Sequence, residues 1–246
     1  QLNRLLAVGE AVWFGEFNSA KLHVYSPNWN YYNATAVQNP TPGDPGAILV
    51  EATRTWVGSG AGLAKFENNA WSYRPIPNNT TAVTSIVRGV DNLLYLATQG
   101  RGLYSYDGNV TFDQQTTGNG LPSDDLRDLL VDQDGKLWVA TSAGLALRGT
   151  NYWLSFTAEN SGLASNDLTS LTLDGSGRIW IATAQNGISI FDPNAGGAEA
   201  WSAQSVADGL PALQAQALTT EPSGAVWAGT AAGLARWNPE DARGTP

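Results

Sequence analysis

Six aromatic residues recur at a near-constant interval along this chain. Trp13, Trp56, Tyr95, Trp138, Trp180 and Trp227 are spaced by 43, 39, 43, 42 and 47 residues. Each lies in a short β-rich string, and the frame around it repeats. Gly120-Leu121-Pro122-Ser123-Asp124-Asp125-Leu126 leads into a β-run ending at Val131, then Asp132-Gln133-Asp134-Gly135, then Leu137-Trp138-Val139-Ala140-Thr141, then Gly144-Leu145. The same order returns from Gly162-Leu163 through Asp174-Gly175-Ser176-Gly177 and Ile179-Trp180-Ile181-Ala182-Thr183 to Gly187-Ile188. It returns again from Gly209-Leu210-Pro211 through Glu221-Pro222-Ser223-Gly224 and Val226-Trp227 to Gly233-Leu234. Towards the N-terminus it decays to Leu94-Tyr95-Leu96-Ala97-Thr98, Thr55-Trp56-Val57-Gly58 and Val12-Trp13-Phe14-Gly15. A period near 42 with several short strands per unit predicts an all-β propeller rather than a solenoid.

Alternation and turn chemistry divide one unit into four strands. Strand A is expected over 126–131, strand B over 136–141, strand C over 144–148 and strand D over 152–157. Asp132 to Gly135 supplies the A–B turn, with glycine where positive φ is needed. Such a sheet is too small to stand alone, so neighbouring sheets must stack to bury it. The expected architecture is one propeller domain over 1–246, most simply six four-stranded blades. The repeats are expected at about 1–36, 47–78, 81–117, 118–160, 161–206 and 207–246. The last blade has no good strand D in Pro239 to Pro246, so seven blades fit if the chain is a fragment.

The ten tryptophans fit the frame. Five occupy the strand B position, Trp29, Trp71, Trp153 and Trp201 fall in strand D, and Trp237 ends a strand C. Packing between blades is preferred to a sugar-stacking platform.

Composition narrows the partners. Net charge is −9 and pI about 4.5, which disfavours nucleic acid. No apolar run is long enough to be a transmembrane segment. Cys and Met are both absent. The missing initiator methionine and the scarce sulfur point to an extracytoplasmic protein, periplasmic or secreted. Asn33-Ala34-Thr35, Asn78-Asn79-Thr80, Asn79-Thr80-Thr81 and Asn109-Val110-Thr111 match the glycosylation acceptor pattern.

The string Gly-Leu-Pro-Ser-Asp-Asp, β-run, Asp-x-x-Gly, Leu-Trp-Val-Ala-Thr, Gly-Leu resembles the two-component regulator propeller repeat, most closely over 118–237. That resemblance implies an extracytoplasmic ligand-sensing or recognition role. There is also a distant likeness to streptogramin-lyase propellers, which depend on a catalytic histidine with acidic and metal-binding partners. The single histidine, His23, lies in an alternating strand without a lyase motif around it.

No catalytic set, metal site or cofactor is expected. Asp132 and Asp134 begin like a calcium loop, but position twelve is Ala143, so a hairpin turn is preferred. Asp124-Asp125 and Asn166-Asp167 recur at one place in the unit, either as caps of the loop entering strand A or as acids at a channel mouth. Gly100-Arg101-Gly102 and Gln185-Asn186-Gly187 depart from the small Ser/Ala B–C turns of their siblings. The expected ligand-binding residues are therefore Gln99, Arg101, Asp124, Asp125, Asp167, Gln185 and Asn186. The expected partner is a small molecule, glycan or protein on the loop face around the central channel. The alternatives are an exported assembly subunit that contacts other proteins and, less favoured, a propeller lyase or hydrolase.

Overall fold

A computed structural model describes residues 2–8, 11–16, 21–26, 28–33, 45–60, 62–68, 70–78, 81–109 and 111–238, with side chains from residue 46 onward except at 198. Pro239 to Pro246, the side chain of His23, and Ala34, Thr35, Asn79, Thr80 and Val110 of the acceptor patterns lie outside that description.

The chain forms two compact units, Gln1–Gln115 and Thr116–Pro246. In the first, β1 (Leu2–Val8), β2 (Ala11–Glu16), β3 (Lys21–Ser26) and β4 (Asn28–Asn33) form one sheet. A second sheet contains β5 (Pro45–Val50), β6 (Arg54–Ser59), β7 (Leu63–Glu67) and β8 (Ala70–Arg74). A third contains β9 (Val83–Arg88), β10 (Leu94–Thr98), β11 (Gly102–Tyr106) and β12 (Phe112–Gln115). In the second unit, β13 (Leu126–Val131), β14 (Leu137–Thr141), β15 (Gly144–Arg148) and β16 (Trp153–Phe156) form a sheet. So do β17 (Leu168–Leu173), β18 (Ile179–Thr183), β19 (Ile188–Phe191) and β20 (Trp201–Gln204). The last sheet has three strands among the described residues, β21 (Ala215–Thr220), β22 (Val226–Thr230) and β23 (Gly233–Trp237). All six are antiparallel meanders in chain order, in line with the expected strands A to D.

Strand A holds a feature that alternation alone does not reveal. In every sheet its pairing with strand B skips one residue: Asn3, Gly46, Thr84, Arg127, Thr169 and Gln216. A bulge of this kind shifts the inward face by one position. Hence Leu126, Asp128 and Leu129 are all buried, as are Val83, Ser85 and Ile86 in β9 and Leu168, Ser170 and Leu171 in β17. The buried Asp128 carboxylate joins two sheets. It accepts the Leu129 amide at 2.9 Å, the Leu171 amide at 2.9 Å and the Ser170 hydroxyl at 3.1 Å. The Ser170 oxygen in turn accepts the Leu218 amide at 3.2 Å.

Strand B is central in each sheet and is buried along its whole length in β10, β14 and β18. Its aromatic packs against the last residue of strand C in the following sheet. Trp56 meets Tyr106 with ring centroids 6.2 Å apart, Trp138 meets Phe191 at 5.6 Å, and Trp180 meets Trp237 at 5.6 Å. These tryptophans are therefore core between sheets. Trp201 of strand D explains the glycine that opens the Gly-Leu motif: a Cβ on Gly162 would lie 2.3 Å from the Trp201 Cβ. The leucines that follow, Leu121, Leu163 and Leu210, are all buried.

Candidate recognition surface at the loop end of the sheets

The repeated polar residues build the two ends of each sheet. At the A–B end the leading acid of the turn accepts a bond from the strand B aromatic. Trp138 Nε1 donates to Asp132 at 2.7 Å, Trp180 Nε1 to Asp174 at 3.0 Å and Trp56 Nε1 to Glu51 at 2.7 Å. Trp227 donates likewise to Glu221, and the Tyr95 hydroxyl to Asp91. The other oxygen of the aspartate caps the turn: Asp132 Oδ1 accepts the amides of Asp134 at 3.0 Å and Lys136 at 2.8 Å. In the next sheet Arg178 adds a buried ion pair to Asp174, 2.6 Å from Nε to Oδ2.

Glu221 illustrates the electrostatics. The Arg236 guanidinium grips it with two bonds of 2.9 and 3.0 Å, and Trp227 and Ser223 donate to it as well, which pulls its pKa from 4.5 to about 2. A carboxylate held below its unfolded pKa stabilises the fold fully above that value and loses the contribution as pH falls through the folded one. The stability gap between the protein and Glu221→Gln should thus hold from neutral pH to about 4.5, narrow below it and close near 2. Thermal melts across that range read the gap, and a gap unchanged by pH would contradict the assignment.

At the other end the B–C turn and the D–A loop are tied by one recurring backbone bond. The amides of Gln99, Ser142, Ala184 and Ala231 donate to the carbonyls of Ala82, Asp125, Asp167 and Gln214 at 3.0, 3.0, 2.9 and 3.3 Å. The threonine of the Ala-Thr motif closes the turn. Thr98, Thr141 and Thr183 donate to the carbonyls of Gly102, Gly144 and Gly187 at 2.6, 2.7 and 2.9 Å.

Against that scaffold the seven expected binding residues separate into two groups. Asp124 is engaged in shaping its loop, accepting the Thr117 amide at 2.6 Å and its hydroxyl at 3.3 Å. Its repeat counterpart Asn166 accepts the Ala158 amide at 2.8 Å. Asp125 pairs through Oδ2 with Arg127 Nη2 at 2.8 Å. Its other oxygen, and Arg127 Nε, are buried without a hydrogen bond. Arg127 is the bulge residue of β13, and strand alternation in the sequence gives no sign of its pairing. The remaining five are exposed: Gln99, Arg101, Asp167, Gln185 and Asn186. Backbone groups place them. Asn186 N donates to Thr183 Oγ1 at 2.9 Å, and the Arg101 carbonyl accepts Gln114 Nε2 at 2.8 Å. The bond from Ala184 to Asp167 brings Asp167, Gln185 and Asn186 to one end of one sheet. Gln99 and Arg101 occupy the equivalent turn of the first unit. Among the described residues no group of three or more His, Asp or Glu is placed to hold a metal ion. No helix there is long and apolar enough to cross a membrane.

Comparison with known proteins places this architecture. Residues 120–143 and 162–185 match the family described as two component regulator propeller. No curated protein matches the chain. Solved structures similar to it include the extracellular domain of a protein assigned as a hybrid two component system from B. thetaiotaomicron. That likeness has a TM-score of 0.69 and 15% identity, and covers 100% of this chain and 40% of that one. The chain therefore spans well under half of that relative. Virginiamycin B lyase from Staphylococcus aureus aligns with a TM-score of 0.76 at 9% identity, over 96% of this chain and 84% of the lyase. The WD40 beta propeller domain of Doa1 aligns with a TM-score of 0.72 at 14% identity, over 99% and 81%. The fold is an all-β propeller fold; at these identities the structural likeness shows the fold alone.

Proposed function

From a chain that carries the two component regulator propeller repeat at 120–143 and 162–185, we propose a non-catalytic, extracytoplasmic recognition module, sensor-like in role and organised as a single propeller over 1–246. It binds a small molecule, a glycan or a protein segment at the loop end of its sheets. The observation that supports this is the division of labour among polar residues. Those shared by the repeats are spent on turns and tryptophans. Gln99, Arg101, Asp167, Gln185 and Asn186 are exposed, and their side chains make no hydrogen bond among the described residues. Amide, guanidinium and carboxylate groups on a pre-formed turn suit hydroxyl-rich or peptide ligands, because their bonding capacity is unspent before binding.

The test is a thermal-shift screen of oligosaccharides, amino acids and short peptides, followed by the double variant Gln185→Ala/Asn186→Ala. A compound that raises the melting temperature of the parent and not of the equally stable variant supports the reading. A compound chemically converted by the purified protein contradicts it.

A second reading, an exported subunit that contacts other chains, draws on the last sheet. Leu234 is 70% exposed, whereas its counterparts Leu63, Leu103, Leu145 and Ile188 are buried. The outer edge of β23 has no paired strand among the described residues, and an open edge invites pairing. Self-association lost on Leu234→Asp, read by sedimentation, would favour this second reading.

A further inference from the structure

We propose that the loop end of the first unit binds small anions through Arg74 and Arg101, and that the ligand class is a molecule carrying two or more carboxylates. This names the ligand chemistry for the first-unit part of the loop-end reading and rests on that reading.

Arg74 and Arg101 stand apart from the other cations. Every other Lys and Arg side chain described is engaged, most in ion pairs such as Arg88 with Glu51 and Arg178 with Asp174. Arg74 and Arg101 are exposed, and neither side chain makes an ion pair or a hydrogen bond among the described residues. The repeat requires neither of them. Arg74 pairs with Leu63, whereas Gln115, Phe156 and Gln204 take the equivalent place opposite Leu103, Leu145 and Ile188. Arg101 is a charged residue in a turn that its siblings build from Ser, Ala, Gly and amide residues. An exposed arginine that the fold does not use keeps its donors for a ligand.

The two arginines come from neighbouring sheets, Arg74 at the end of β8 and Arg101 between β10 and β11. The segment after Arg74 is pinned to the turn of Arg101 at two points. The Pro77 carbonyl accepts the Tyr104 hydroxyl at 3.0 Å, and the Ala82 carbonyl accepts the Gln99 amide at 3.0 Å. Ile76 is buried in one core cluster with Tyr104, which anchors the segment. The Arg101 guanidinium is near enough to act on that tyrosine: burial raises the Tyr104 pKa, and the Arg101 charge opposes the rise. The Arg101 carbonyl accepts Gln114 Nε2 at 2.8 Å, so the turn is held before any ligand arrives. In a chain of net charge −9, residues 59–62, 74–82 and 98–102 contain no Asp or Glu. The D–A loops of the second unit carry Asp124, Asp125 and Asp167 instead. Two guanidinium forks in turns free of acids match two carboxylates on one small molecule. The acidic remainder of the chain repels such a ligand, which confines binding to this end.

The test titrates the ¹⁵N-labelled full chain with succinate and with tricarballylate. Succinamide, acetate and 1,4-diaminobutane are the controls for charge, valence and sign. The expected result is saturable shifts at the amides of Arg74, Gln99, Gly100 and Arg101 with at least one of the two acids. Acetate should bind about tenfold more weakly or worse, and the neutral and cationic controls should not bind. Arg74→Gln and Arg101→Gln should each weaken binding about tenfold, and together abolish it. Both side chains are exposed, so the melting temperature should stay that of the parent. Lys136→Gln removes the same charge at the A–B end and should leave the affinity unchanged. Binding that survives the double variant overturns the proposal, as does succinamide binding as well as succinate, or an equal loss in Lys136→Gln. A neutral sugar or peptide that shifts the amides of residues 99–101 while both acids fail overturns the anion assignment and leaves the loop-end reading standing. A loop end in the first unit that responds neither to the acids nor to any compound of the thermal-shift screen overturns both there.

Discussion

Asp174→Ala is expected to destabilise the second unit by about 3–5 kcal/mol, more than any other substitution of a turn acid. Its carboxylate side chain is 0% exposed and that of Arg178 is 9% exposed. Asp174 also accepts the amides of Ser176 at 2.8 Å and Arg178 at 3.0 Å, and the indole of Trp180 at 3.0 Å. Removing it takes away a carboxylate 2.6 Å from a buried guanidinium, which costs more than the pair itself contributes. Asp132 holds the equivalent place in the preceding sheet without a buried arginine, so Asp132→Ala should cost only about 1–2 kcal/mol. Arg178→Met in the Asp174→Ala background should recover part of the loss, because the buried charge that Asp174 balances goes with it. Urea unfolding monitored by tryptophan fluorescence measures all three. Equal losses for Asp132→Ala and Asp174→Ala would refute the role given to the ion pair.

The second large effect is at Trp180, which is fully buried and has Trp237 of the next sheet 5.6 Å away. Trp180→Ala removes a contact that joins two sheets, together with an indole that satisfies Asp174. The expected cost is about 3–5 kcal/mol. In a repeat array each sheet is stabilised chiefly by its neighbours, so the loss should spread to β21–β23 before it reaches β13–β16. Hydrogen exchange would show faster exchange in β21–β23 first. Uniform loss of protection across the second unit would mean that the sheets are not the units of stability.

Much of this architecture was legible because the repeat copies residues whose reasons are local. The expected strand A over 126–131 and strand C over 144–148 coincide with β13 and β15, and strands B and D start or stop one residue inside the expected limits. Gly135 does take positive φ, 80°. The packing of strand B tryptophans between sheets followed from their period. The strand A bulge was hidden, because skipping a residue changes which side chains face inward without changing composition. Asp128 is accordingly buried next to Leu129, a pair of adjacent inward residues that simple alternation does not produce. The bond from the strand B aromatic to the turn acid had a signal that spacing can carry. The acid precedes the aromatic by six residues at Asp132, Asp174 and Glu221, by five at Glu51 and by four at Asp91. For the binding residues, departure from the repeat marked Gln99, Arg101, Gln185 and Asn186, and all four are exposed. The same reasoning applied to strand D would have marked Arg74, which takes the place held by Gln115, Phe156 and Gln204 in β12, β16 and β20.

The most direct test of recognition without chemistry is hydrogen-exchange mass spectrometry of the full chain. It would be run with and without the compound that most raises its melting temperature, with the mass of the compound followed in the same sample. Slower exchange in peptides containing Asp167, Gln185 and Asn186, with the compound recovered at its original mass, is the predicted result. Conversion of the compound to a product, or binding with no protection at those residues, would contradict the account.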